Sequence, residues 1–276
     1  MNIPFSKYHG AGNDFIIIDN RSDFILLNPS QVAAICNRRL GVGADGVILL
    51  ERSSLADYRM RIFNADGSEP TMCGNGLRCL VDFIGKLGYV SETILVEVAG
   101  RLFTCQIGRG KISVNLGPPR IDHWPLVVET SHGALTVFVL DTGVPHAVIW
   151  VDEISEVPLA HLGRELRFHP FFSPHGVNVN VVESKGEQVI ALRTYERGVE
   201  GETLACGTGA AAAAFVAAQL KGGEAWSVMT KNSLEENVFH PTLSFRFPFF
   251  NDTERAIEMV GEARCVFTGH LVTLYN

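Results

Sequence analysis

The sequence predicts an α/β (α+β) protein of two pseudosymmetric domains, each a curved, mostly antiparallel sheet or barrel around one central helix. Three observations carry that prediction. Short β-branched runs bounded by turn residues recur along the chain, as half-buried or buried strands do. Two strongly apolar helical runs each begin just after a cysteine followed by glycine. Landmarks of the first half return in the second at matching intervals. A length of 276 residues suits two domains, each with its own core.

In the first half, the turn-rich His9-Gly10-Ala11-Gly12-Asn13-Asp14 leads into Phe15–Asp19, a buried strand by its continuous β-branched character. Residues 30–40 read as a helix capped by Ser30, with Val32, Ile35 and Cys36 on one face and Gly41 at its end. Gly43-Ala44-Asp45-Gly46 turns into a strand at Val47–Leu50, and Tyr58–Phe63 follows as another. The loop Asn64-Ala65-Asp66-Gly67-Ser68 carries the chain to Met72-Cys73-Gly74-Asn75-Gly76. Leu77, Leu80, Val81 and Ile84 then fall at helical spacing, and Gly88 closes that helix. Strands are expected near 93–98, 101–107 and 111–116. Gly117-Pro118-Pro119-Arg120 is the candidate linker, because two prolines stop regular structure.

The pattern then restarts. Gly143-Val144-Pro145-His146 leads through Ala147–Val151 to Asp152, at the interval that separates Gly10 from Asp19. The strand Val177–Val182 ends at Glu183 as Val47–Leu50 ends at Glu51, and Arg193 follows Glu183 as Arg61 follows Glu51. Ala205-Cys206-Gly207-Thr208-Gly209 then answers the first cysteine within one residue of register. This is an internal duplication. It implies domains at 1–118 and 119–262 related by an approximate twofold, with strands at 263–276 returning to complete the first. A twofold brings equivalent helix starts together, so the active site is expected at the domain interface.

Composition excludes several classes. The net charge is −7 and no basic run appears, so neither nucleic acid nor an acidic membrane surface is an expected partner. Leu204–Leu220 is apolar, but it contains Gly207 and Gly209 and meets Lys221, and so reads as a helix buried within a domain rather than a membrane span. The N-terminus lacks the basic start and apolar core of a signal peptide, and six cysteines without an export signal imply free thiols in a reducing, cytoplasmic compartment. No zinc-type spacing is present, so no metal is expected. Cys36, Cys79, Cys105 and Cys265 read as small buried hydrophobes.

Cys73 and Cys206 read differently. A helix N-terminus presents unpaired N–H groups and a positive dipole end, suited to a carboxylate and able to favour a thiolate. Two such cysteines facing one amino acid make a two-base proton-transfer site. Arg197 offers a bidentate fork for a carboxylate, and Glu196 a partner for an ammonium or a thiol. Glu196 stands at the repeat position of Asn64, with Arg197 directly after it. His146 stands at the repeat position of Asn13, and Asn178 occupies a strand where asparagine is unfavourable. No P-loop, dinucleotide fingerprint or evident Schiff-base lysine appears, so no cofactor is expected.

His9-Gly10-Ala11-Gly12-Asn13-Asp14-Phe15, Phe63-Asn64-Ala65-Asp66-Gly67-Ser68, Met72-Cys73-Gly74-Asn75-Gly76 and the segments Glu196-Arg197-Gly198 and Ala205–Gly209 resemble the diaminopimelate epimerases, from about residue 3 to 276. The resemblance implies a pyridoxal-independent enzyme that interconverts LL- and meso-diaminopimelate in lysine and peptidoglycan synthesis, commonly as a homodimer. It implies that Cys206 accepts and Cys73 donates the proton in the LL-to-meso direction. Gly74, Asn75, Gly207 and Thr208 would hold the reacting end of this small-molecule substrate. Asn13, Asn64, Asn178, Glu196 and Arg197 would contact it, and His146 and Glu196 would adjust the thiols. The rival readings are a broad amino-acid racemase, for example of glutamate, using the same cysteines, and a non-catalytic amino-acid-binding protein.

Val144 departs from the family pattern, which has asparagine before this proline and histidine. Valine has no hydrogen-bonding group, so the distal end of the substrate should be read more loosely. Val144→Asn is expected to lower KM for LL-diaminopimelate and to slow turnover of shorter amino acids. Steady-state kinetics on both substrates check this, and unchanged values would remove Val144 from the specificity argument.

Overall fold

The structure, a computed structural model, describes residues 2–89, 91–108, 110–203, 206–230, 243–248 and 254–272. The chain forms two compact units, Met1–Asn115 with Val260–Asn276, and Leu116–Met259.

The first unit begins with β1 (Ile3–Gly10) and β2 (Asn13–Asp19), an antiparallel hairpin closed by Ala11 and Gly12. Both turn residues have positive φ, 55° and 83°, the conformation that a two-residue hairpin of the right twist requires. The hairpin therefore extends the expected strand backwards to Asn13. Next come α1 (Pro29–Cys36), β3 (Gly46–Glu51), β4 (Tyr58–Asn64), α2 (Gly74–Lys86), β5 (Thr93–Val98), β6 (Arg101–Ile107) and β7 (Ile112–Asn115). β2 runs parallel to β3 and β4 parallel to β5, and the other neighbours in this series pair antiparallel.

The second unit repeats this order with two added strands, one before the repeat and one ahead of its central helix. β8 (Arg120–Thr130) and β9 (Gly133–Asp141) form a hairpin, and β9 pairs antiparallel with β10 (Pro145–Val151). Then follow α3 (Leu159–Arg167), β11 (Asn178–Ser184), β12 (Val189–Glu196), β13 (Gly201–Thr203), α4 (Gly207–Lys221), β14 (Ala225–Met229) and β15 (Leu243–Arg246). β10 runs parallel to β11 and β12 parallel to β14, with antiparallel pairs between β11 and β12 and between β14 and β15. The succession of parallel and antiparallel pairs is the one seen from β1 to β6, which is the duplication read from the sequence. β16 (Glu258–Gly261) carries the chain onward to β17 (Arg264–Leu271), which lies antiparallel beside β1.

Each unit wraps its sheet around one helix. α2 packs on β1, β2, β3, β4, β6, β7 and β17, so it touches strands at both ends of the series. α4 packs on β9, β10, β11, β12, β14 and β15. Residues Gly209–Ala218 of α4 are all buried, and most are alanines, which let a sheet close tightly around a helix apolar on every side. The outer faces are covered by α1, whose Val32 and Ile35 join Ile16, Ile18, Val47 and Leu49, and by α3, whose Leu159, Leu162 and Leu166 join Ala147, Ile149, Val179 and Val181. Strands covered on both faces are apolar throughout, hence Phe15–Ile18. Among the described residues no helix is long and apolar enough to cross a membrane.

Three expectations need correction. α1 is capped by Asn28, whose side chain accepts from Gln31 N while Gln31 Oε1 accepts from Asn28 N, a reciprocal box that displaces Ser30 as cap. The helix also stops at Cys36, because Val42 and Gly43 N–H groups turn back to the Ile35 carbonyl. Cys265 is half-buried rather than part of a core, since it lies on β17 where Val266 and Phe267 are exposed. Leu204, Ala205 and the last expected strand residues, 273 and 274, lie outside the described residues.

A Cβ at Gly163 of α3 would stand 2.5 Å from Cβ and Cγ of Tyr195. Gly163→Ala is therefore expected to destabilise the protein by about 1–3 kcal/mol despite the better helix propensity of alanine. Thermal unfolding checks this, and a raised Tm would contradict the packing.

Candidate active site

The expected site residues fall into one group in each unit. In the first, Cys73 occupies the cap position of α2 with extended backbone, φ −148°, and its Sγ accepts from Gly76 N at 3.4 Å. The thiol thus does what a serine or asparagine usually does at a helix start. Gly76 suits this place: a Cβ there would lie 3.0 Å from Ile48 Cδ1 and 3.2 Å from Ile62 Cδ1. Asn13, at the hairpin end, brings its Oδ1 within 3.8 Å of Cys73 Sγ and within 3.5 Å of Asn75 Nδ2. Asn64 lies at the end of β4 and donates through Nδ2 to Ser68 Oγ at 3.0 Å.

Two sets of residues that sequence reasoning missed hold this group in place. Asn13 Nδ2 donates to Asp45 Oδ2 at 2.8 Å, and Arg38 binds Asp14 through two hydrogen bonds of 2.7 and 2.9 Å and Asp45 at 2.9 Å. Lys7 completes the cluster with an ion pair to Asp14 at 2.7 Å and a hydrogen bond to the Gly43 carbonyl. Burial alone would raise the Asp14 pKa, but the bonds from Arg38 and Lys7 outweigh it and hold the carboxyl well below its usual range. Arg78, fully buried in α2, donates to Asn75 Oδ1 at 2.7 Å and to the Gly74 carbonyl at 3.5 Å. A lone arginine within an apolar helical run was the available signal.

In the second unit, Cys206 caps α4 in the same way, φ −124°, with Sγ accepting from Gly209 N at 3.4 Å and 3.5 Å from Thr208 Oγ1. Thr142 Oγ1 donates to the Thr208 carbonyl at 2.9 Å. Asn178 bridges the start of β10 and the end of β12, donating to the Pro145 carbonyl at 3.0 Å and accepting from Arg197 N at 2.9 Å. Arg197 Nη1 reaches the His175 and Gly176 carbonyls at 3.4 Å each, while its Nε and Nη2 make no hydrogen bond among the described residues. His146 is wholly buried, with Nδ1 3.0 Å from Asn180 Nδ2. Asn180 escaped sequence reasoning, although the alternation Asn178-Val179-Asn180 sets two asparagines on one face of a strand. Gly74 and Gly207 are the first residues of their helices, directly after the cysteines.

Burial dominates the titration of both thiols. It raises the Cys73 pKa against the opposing pull of Gly76 N–H and the Arg78 charge. It pushes Cys206 up to about 11, and the Glu196 carboxylate adds to this while Thr208 and Gly209 oppose it. The expectation that the helix dipole would favour a thiolate is thus outweighed in the free protein. Glu196 is itself raised by burial, with the neighbouring Thr203 opposing. Burial and then the Arg197 charge depress His146 to about 3, so its imidazole is neutral at physiological pH. Among the described residues no cluster of three His, Cys, Asp or Glu side chains is placed to hold a metal ion.

A profile of the diaminopimelate epimerase family matches residues 5–121 and 138–241. A diaminopimelate epimerase of Thioalkalivibrio sulfidiphilus is 40% identical over 98% of this chain and 99% of its own. One of Archaeoglobus fulgidus is 39% identical over 85% of this chain and 88% of its own. Among solved structures, a Bacillus anthracis phenazine biosynthesis protein of the PhzF family has a TM-score of 0.73 at 15% identity, covering 99% of this chain and all of its own. A hydroxyproline epimerase from Agrobacterium vitis has a TM-score of 0.68 at 14% identity, covering 98% and 92%. The last two comparisons establish the fold.

Alkylation tests the electrostatics. A thiol is protonated below its pKa and only the thiolate reacts, so iodoacetamide modification of Cys206 is expected to be slow at pH 7 and to climb steeply above pH 9, beyond the ordinary thiol range near 8.5. Mass spectrometry of quenched samples follows each cysteine. A plateau for Cys206 below pH 8 would show that the helix start outweighs burial after all.

Proposed function

The chain belongs to the diaminopimelate epimerase family, and from that premise we propose that it interconverts LL- and meso-diaminopimelate without a cofactor, by a two-base mechanism at Cys73 and Cys206. The observation that carries the reading is that each cysteine caps its own helix, with its sulfur against the third helical N–H of that helix. In the LL-to-meso direction the Cys206 thiolate takes the proton from Cα, and the Cys73 thiol gives its proton to the opposite face. The exchange leaves Cys73 as the thiolate and Cys206 as the thiol, so the charge on the pair is unchanged.

Proton removal shifts electron density from Cα into the substrate carboxylate. Backbone N–H groups of the first turns, at Gly74, Asn75, Gly207 and Thr208, are the donors for that charge, and fixed donors at a helix start need no reorganisation as it develops. A buried thiol with a raised pKa is a stronger base once ionised. Its ionisation is favoured when the cationic ammonium of the substrate enters beside it, and Glu196 balances that ammonium. Asn13, Asn64, Asn178 and Arg197 orient the remaining polar groups, with the free edge of the Arg197 guanidinium offered to a carboxylate. His146 and Glu196 set the electrostatics of the Cys206 end. The enzyme works as a cytoplasmic homodimer in lysine and peptidoglycan synthesis.

Proton NMR in D₂O without pyridoxal phosphate tests the reading. The protein is expected to exchange the α-proton of LL-diaminopimelate and form the meso isomer, and Cys73→Ala and Cys206→Ala are each expected to abolish turnover. Equal or faster exchange on L-glutamate would point to a broad racemase. No exchange on either substrate, with thiols confirmed reduced, would leave an amino-acid-binding protein.

A further inference from the structure

The two cysteines have matching helix starts but unlike foundations. Aligned by the repeat, Gly209 answers Gly76, Asn180 answers Ile48, Thr194 answers Ile62 and His146 answers Asn13. Under Gly76 the nearest side-chain atoms to a Cβ position are the methyls of Ile48 and Ile62. Under Gly209 the nearest is Asn180 Oδ1, 2.4 Å from where a Cβ would stand. The first helix start rests on hydrocarbon. The second rests on an amide.

That amide is fixed on every side. Asn180 Oδ1 accepts from Thr194 Oγ1 at 3.0 Å, across the antiparallel pairing of β11 with β12. Asn180 Nδ2 lies 3.2 Å from the Ala147 carbonyl, which can only accept, so nitrogen and oxygen cannot be exchanged. The same Nδ2 is 3.0 Å from His146 Nδ1. Since Nδ2 donates, Nδ1 accepts, and the single proton of a neutral imidazole must sit on Nε2. His146 Nε2 is buried and has no hydrogen-bond partner among the described residues. A buried N–H left unpaired carries a desolvation cost, which is removed when a ligand supplies an acceptor.

We propose that Asn180, anchored by Thr194, is a positioning residue of the Cys206 group: it locks His146 as the Nε2–H tautomer and presents that N–H as a donor for the acceptor atoms of the bound amino acid. This rests on the epimerase reading and extends it. The amide ties together two parts that must move as one, the imidazole on β10 and the glycine whose N–H holds Cys206 Sγ. Asn180 touches neither thiol nor substrate and acts through both neighbours. At the corresponding positions under Gly76 stand Ile48 and Ile62, so the two helix starts differ in built-in polarity although their backbones match.

Long-range proton–nitrogen correlation NMR on the full chain with ¹⁵N-histidine reads the tautomer directly, with His146→Gln identifying the signal. The wild type is expected to show Nε2–H at neutral pH. Asn180→Asp replaces the donor by an acceptor and should move the proton to Nδ1. Turnover of LL-diaminopimelate should then fall about 10- to 100-fold in kcat, with KM changed far less. Thr194→Val should blur the tautomer and lower kcat, and Thr194→Ser, which keeps the hydroxyl, should restore both; this pair answers the concern that an Asn180 variant merely folds poorly. A wild-type Nδ1–H tautomer, or an Asn180→Asp protein that moves the proton yet keeps kcat within about twofold, would overturn the proposal. Failure of the wild type to exchange any α-proton would instead overturn the epimerase reading, while the tautomer spectrum still decides what Asn180 does to His146.

Discussion

The contact on which the site depends is the hydrogen bond from the third helical N–H to a cysteine sulfur at the cap position, made once in each unit at 3.4 Å. A helix start leaves its first N–H groups without intrahelical partners, and a side chain at the cap position normally satisfies one of them. Giving that place to a thiol does two things at once. It fixes the sulfur relative to the remaining N–H groups of the first turn, and it ties the reactivity of the sulfur to the register of a helix buried on nearly all sides. The sheet wrapped around α2 or α4 therefore sets the sulfur position to within the tolerance of a packed core. Glycine at the third helical position follows from the same constraint, because the strands beneath come within reach of any Cβ placed there.

Burial has an opposing effect on the chemistry. A helix N-terminus offers partial positive charge, worth about 0.3–1 kcal/mol at an exposed site. Taking a thiolate out of water costs far more, and the raised pKa values of Cys73 and Cys206 record that balance. The helix start is thus better understood as a geometric device and as a receiver of charge developing on a ligand than as a means of ionising the resting thiol. Glu196 points the same way, since an anion beside Cys206 opposes ionisation until a cation enters.

Much of this was legible in the sequence because the duplication supplied an internal comparison. Glu51 with Arg61 and Glu183 with Arg193 keep step, and the strand order of the two units follows from that. What stayed hidden has physical reasons. Asn28 outcompetes Ser30 as a cap because Gln31 completes a reciprocal pair, and the spacing Asn28-Pro29-Ser30-Gln31 was the overlooked signal. α3 buries Leu159, Leu162 and Leu166 at helical spacing, but its span of nine residues is short in a chain dominated by strands. The supports of the site, Arg38 with Asp14 and Asp45, Arg78 with Asn75, and Asn180 with Thr194, are long-range pairs between elements. A charged or amide residue in an apolar run announces that something holds it, but spacing alone does not say what.

The contrast between Ile48 with Ile62 and Asn180 with Thr194 shows what duplication leaves free. The two backbones must remain alike for the sheets to close around α2 and α4, so divergence is confined to side chains on shared frames. Replacing two isoleucines by an amide and a hydroxyl in a core is costly unless every polar atom finds a partner. Here Asn180 Oδ1 has Thr194, and Asn180 Nδ2 has His146 and the Ala147 carbonyl. Among the described residues, the one unpaired group of this network is His146 Nε2, at the end farthest from its anchor. A polar network satisfied everywhere except at one buried donor has moved its entire desolvation cost to a single atom. That is where a ligand gains most by binding, because an acceptor placed there relieves a cost the free protein already carries.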